Sequence, residues 1–121
     1  MANYAEIVEI VAPDRAVQGG RVDVTVKIKN IWTGWFRIYC VAVVDSLRFI
    51  DWLDEVAGPG DTREFSGAFI MGGADVRILA QSWYEGGDGY LHRDDEKTRD
   101  VKVTALEPEF TAMKISNFSR V

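Results

Sequence analysis

One cysteine and one histidine are all that the 121 residues offer of the two commonest soft metal ligands. Disulfide frameworks, zinc clusters and multi-histidine centres are thereby excluded. Basic residues are also short: 14 Lys and Arg stand against 19 Asp and Glu, a net charge of −5. Non-specific binding to DNA or RNA needs a basic face, and this balance supplies none. The most apolar stretch, Cys40 to Val44, is far shorter than the roughly 20 residues a membrane-spanning helix needs. Met1 to Glu6 contains no basic segment leading into a long apolar one, so no signal peptide is read there. The expectation is cytoplasmic synthesis followed by assembly into a particle, or a module cut from a longer surface protein.

Catalytic groups are equally scarce. No Ser or Cys stands in a nucleophile-elbow context. His92 lies in the polar stretch Gly89 to Glu96 and reads as a surface side chain. Cys40 sits in an apolar strand-like run, where a free thiol is a small, inert core residue. The chain is expected to be no enzyme and to carry no cofactor or metal.

What is present is core material. Apolar residues make up 47% and aromatics 12% of the chain, enough to bury a single domain of this length. Arg21 to Asn30 alternates Val22, Val24, Val26 and Ile28 with Asp23, Thr25, Lys27 and Lys29, the period-two pattern of a half-buried strand. Further strands are expected at 6–11, 36–44, 62–71, 76–84 and 97–105. Pro13-Asp14-Arg15 reads as a turn, 85–96 as a loop rich in Gly and Asp, and 47–53 as apolar with a pattern between strand and helix. Several short strands separated by turn signals predict an all-β, immunoglobulin-like antiparallel sandwich of about seven strands. It spans residues 1–106, and 107–121 form an apolar tail, either an extra strand or the start of a further repeat.

The order of these signals resembles the CARDB-type immunoglobulin-like modules of bacteria and archaea. The resemblance rests on Pro13, Gly19-Gly20, the alternating strand ending at Asn30, the turn Gly58-Pro59-Gly60-Asp61-Thr62, and Asp75-Val76-Arg77-Ile78. It covers residues 5–105. The Cys-Trp-Cys signature of antibody domains is absent, since Cys40 stands alone. The resemblance implies a non-enzymatic spacer or binding module.

Alternation assigns the faces. Phe36, Ile38, Cys40, Ala42 and Val44 share a core face with Val76, Ile78 and Ala80, with Phe65 and Phe69, and with Val101, Val103 and Ala105. The opposite face gathers Trp35, Tyr39, Val41, Leu79 and Trp83, an outward apolar patch that must be either covered or an interface. Cover would come from 47–53, from the tail with Phe110 and Phe118, or from a protein partner or second copy. Two function classes follow. The first is a structural or protein-interaction module of a larger surface or viral assembly, or an adhesion-type repeat. The second is a small-ligand binder, taking carbohydrate on exposed Trp residues or calcium in the acidic 88–96 loop through Asp88, Asp94, Asp95 and Glu96.

Overall fold

The computed structural model describes residues 2–104, and among these there are eight strands and no helix. They are β1 (Ala5–Val11), β2 (Arg15–Val17), β3 (Arg21–Asn30), β4 (Phe36–Val44), β5 (Leu47–Ala57), β6 (Thr62–Ile70), β7 (Val76–Glu85) and β8 (Leu91–Thr104). Two sheets face each other, one in the order β1-β3-β6 and one in the order β2-β8-β7-β4-β5. All neighbours are antiparallel except β2 and β8, which run parallel. The expected all-β sandwich of immunoglobulin type is what the chain forms.

The core follows the alternation. Val22, Val24, Val26 and Ile28 of β3 are buried against Ile38, Cys40, Ala42, Ile78 and Ala80 of the larger sheet. Phe65, Phe69 and Val101 complete it. Ala105 and the tail residues Phe110 and Phe118 lie outside the described residues.

Three expectations need correction. Residues 47–57 are strand β5, not a mixed segment. The strand hides its period because a bulge breaks the register between Cys40↔Leu53 and Ala42↔Ile50. Trp52 sits in that bulge with φ 54, a left-handed conformation that a bulky residue seldom adopts. The loop expected at 85–96 shrinks to a short turn, closed by Gly86 N–H to Tyr90 O and helped by Gly89 at φ 84. The rest is the first half of β8, whose polar side chains conceal a strand held by backbone pairing to β7. Arg15, expected in the turn Pro13-Asp14-Arg15, instead opens the short parallel strand β2.

Gly67 lets the sandwich close at the β5 edge. A Cβ there would meet the Phe49 carbonyl oxygen at 2.7 Å and Ile50 Cγ1 at 2.8 Å, so only glycine lets β6 pass this close to β5.

The opposite opening, beside β1, is closed by side chains. Among the described residues β1 pairs only with β3, and its other edge faces the larger sheet without a strand partner. Asp94 of β8 accepts hydrogen bonds from the N–H groups of Asn3, Tyr4 and Ala5, and Asp95 accepts from Ile7 N–H at 2.9 Å. Ser82 of β7 donates to the Ala5 carbonyl at 2.6 Å, and Arg99 of β8 donates to the carbonyls of Ile10 and Ala12. A register shift in the β7–β8 ladder, opposite Ser82 and Trp83, falls at Asp94 and so helps present both carboxylates to the edge.

Asn30 is wholly buried and fully satisfied. Its amide nitrogen donates to the carbonyls of Gly34 and Ala57, both at 2.9 Å, and its side-chain oxygen accepts from Trp32 N–H at 2.8 Å. Its backbone N–H donates to Asp61 O and its carbonyl accepts from Gly60 N–H. One residue thus ties the 31–35 connection to the end of β5 and to the β5–β6 turn. Asn30→Ala should cost about 3 kcal/mol or more, because two carbonyls and an amide lose their partners in the interior. Asn30→Asp should be worse near neutral pH and partly recover in acid, since a carboxylate would face two carbonyl oxygens. Urea unfolding of both variants across pH checks this, and equal, pH-independent losses would contradict it.

Candidate functional site

The outward face of the larger sheet brings most of the expected patch together and then covers it. Tyr39 of β4 lies directly opposite Trp83 of β7, and Val43 opposite Leu79. β4 runs between β7 and β5, and Trp83 from one side meets Trp52 from the other, ring centroids 5.1 Å apart and steeply inclined. Two rings from flanking strands touch only by reaching over the strand between them. Val41, outward on that strand, is accordingly 4% exposed. Its expectation as an interface residue is therefore corrected: β5 covers it from within the chain. Tyr39, Leu79 and Trp83 are half-buried. Arg48 stacks over Trp52 at 5.9 Å, and Trp83 Nε1 donates to Gln81 Oε1.

Trp35 stands apart. It lies just ahead of β4, is 67% exposed, and makes none of the aromatic pairs among the described residues. Its indole rests on Gly58, where a Cβ would come within 2.8 Å of the ring. Beyond it on the same side, Val56 pairs with Arg37 and is exposed. The four Trp residues thus occupy three separate places and make no common platform for a sugar.

A second aromatic site was not foreseen. Tyr4, Trp32, Phe36 and Tyr84 line a cleft of about 240 Å³ together with Glu85, Gly86 and Gly87. Tyr4 meets Trp32 edge-on at 5.7 Å, Phe36 at 6.3 Å and Tyr84 at 4.6 Å. Tyr4 just precedes β1, Trp32 follows β3, Phe36 opens β4 and Tyr84 stands near the end of β7. Antiparallel pairing sends all four to one pole, which is the signal that would have found them. Tyr84 also packs on His92 at 5.5 Å. Its phenol pKa is raised, first by desolvation and then by electrostatic repulsion from its neighbours, Asp94 and Asp88 among them.

The acidic stretch expected as a calcium candidate is otherwise engaged. Asp94 and Asp95 hold the β1 edge. Asp88 accepts from Tyr90 N–H and lies 2.9 Å from His92 Nε2, and that bond above all holds its carboxyl below the usual range. Glu96 bonds Gln81. Among the described residues no three His, Cys, Asp or Glu side chains converge as ion ligands. Cys40 is buried, and desolvation pushes its thiol up to about 12. No helix in the described residues is long and apolar enough to cross a membrane.

No protein-family model matches the chain, and no curated protein matches it significantly. Solved structures do. A CARDB domain from Pyrococcus furiosus, in complex with di-metal ions, superposes with a TM-score of 0.67 at 16% identity, over 86% of this chain and 96% of that one. Native alpha-2-macroglobulin from Escherichia coli, from domain MG7 to the C-terminus, gives 0.67 at 17% identity, over 87% of this chain and 17% of that one. A chain in the complex of zinc 2-glycoprotein with prolactin inducible protein from human seminal plasma gives 0.57 at 11% identity, over 82% of this chain and 97% of that one. At these identities the likeness is one of fold, the immunoglobulin-like sandwich of CARDB type.

Trp52→Ala should uncover Val41 and Trp83 and cost about 2 kcal/mol, less than the 3–5 of a fully buried aromatic. Chemical denaturation measures it, and a loss under about half a kcal/mol would mean that Trp52 covers nothing. Cys40 should resist an aromatic disulfide reagent at pH 8 in the folded protein and react at the rate of unfolding. Immediate labelling without denaturant would contradict its burial.

Proposed function

We propose that the domain is a non-enzymatic protein-interaction module, a building block of a larger surface or viral assembly or an adhesion-type repeat. Its contact surface is the exposed side of β5 together with Trp35. The observation that carries this reading is the Trp35 indole, two-thirds exposed yet held against Gly58. Trp is the residue most enriched at the energetic centres of interfaces, and a side chain already ordered loses little entropy on binding. Val56, outward beside Arg37 and 41% exposed, extends the apolar surface along β5.

The same strand is guarded against plain strand addition. Arg63 donates to the Val56 carbonyl, the bulge at Trp52 breaks the edge, and Asp51, Asp54 and Glu55 set charges along it. The reading is therefore docking by side chains. Phe110 and Phe118 of the tail remain candidates for the same partner and lie outside the described residues. The fold supports the class: its relatives are immunoglobulin-like modules, one of them solved within a complex of two human proteins.

Sedimentation of the full chain tests for pairing between copies, and a photoreactive residue at position 56, on the same face as Trp35, captures other partners in the producing cell. Trp35→Ser should abolish the association and leave stability within about 0.5 kcal/mol, as surface substitutions do. A chain that stays monomeric at high concentration and, with Trp35 intact, yields no specific crosslink from position 56 would overturn the proposal.

A further inference from the structure

The aromatic cleft at the pole of the sandwich lies apart from the β5 surface, and neither the core nor the β1 edge accounts for its opening. At about 240 Å³ it is smaller than the roughly 300–1,000 Å³ of sites for drug-sized ligands, so it admits one compact group. Its walls are Tyr4, Trp32, Phe36 and Tyr84. Their planes are steeply inclined: 81° between Tyr4 and Trp32, 72° between Tyr4 and Phe36, and 72° between Trp32 and Phe36. Sugars stack on a single broad ring face. Rings turned to one another instead wall a site from several sides, the arrangement that suits a compact rounded group.

Charge selects among compact groups. Glu85 lines the cleft, and among the described residues no Lys or Arg does. Asp88 and Asp94 lie close enough for their negative charge to act on Tyr84. Aromatic faces are themselves negative, and a cation bound between them gains most when its own hydration is weak. The net charge of −5 draws cations towards the surface.

We propose that this cleft binds a quaternary ammonium group, held by cation–π contact with Tyr4, Trp32, Phe36 and Tyr84 and by the Glu85 carboxylate. Asn30 keeps the site ready, because its side-chain oxygen holds Trp32 N–H.

The test compares choline with 3,3-dimethylbutan-1-ol, which has the same shape and no charge, by following the Trp32 indole N–H and the ring protons of Tyr4 and Tyr84 in NMR titrations. Choline should shift these signals saturably, and the neutral isostere should bind about tenfold more weakly or worse. Glu85→Gln, an exposed substitution that leaves the fold intact, should weaken choline several-fold and leave the alcohol unchanged. Trp32→Leu should abolish the choline response, with a thermal melt of each variant confirming that it is folded. Equal binding of the two probes would reduce the cleft to an apolar slot and overturn the proposal. So would no response to choline through the millimolar range, or a response to methyl glycosides in its place.

Discussion

A single buried amide holds the Trp32- and Trp35-bearing end of this sandwich together. Asn30 lies at the end of a strand, where the chain must leave the regular ladder while still inside the core. Leaving the ladder strands backbone groups, and stranded groups in the interior are costly. The Asn30 side chain satisfies three of them at once, in the 31–35 connection and at the end of β5. Its own backbone engages the β5–β6 turn. Trp32 and Trp35 both ride on the connection it fixes. The cleft and the exposed indole are therefore both set by one buried polar residue.

The remaining architecture answers a shortage of strands. Among the described residues the smaller sheet has three strands, which do not cover both long openings of a five-stranded partner with backbone pairing. At the β5 edge, Gly67 lets the two sheets approach closely. At the β1 edge, two carboxylates, a hydroxyl and a guanidinium do the work of a missing strand. Asp94 and Asp95 of β8, which looked like loop chemistry, are part of the fastening of the fold.

That substitution explains what could be read from the sequence. Strands β3, β4 and β7 were legible because one face is buried and the other is not, which writes period two directly into the residues. The core set from Phe36 to Val44 and the pairing of Tyr39 with Trp83 follow from the same pattern. β8 was half hidden because its first part buries little on either face, so backbone pairing alone defines it. β5 was hidden because a bulge moves Trp52 out of phase, and the same bulge turned a supposedly open patch into a covered one. Asp94 and Asp95 resembled an ion site because an acid that accepts backbone N–H groups has the composition of one that accepts a cation. The aromatic cleft is spread over four segments, and only strand polarity gathers it.

The fastening of β1 has a consequence for how the chain is made. Asp94 lies 89 residues after Ala5, whose N–H it holds. A ribosome adds about 5–20 residues per second, so this contact becomes available roughly 4–18 s after β1 has been built. Through that interval β1 can pair with β3 but has nothing along its other side. Val8 and Val11 stand on a bare strand edge beside unpaired amides, on a chain that has siblings emerging nearby on the same message. Slow codons ahead of β8 would lengthen the exposure and rapid ones would shorten it, which makes the pace of translation over that stretch a determinant of how much protein reaches the closed sandwich rather than an aggregate.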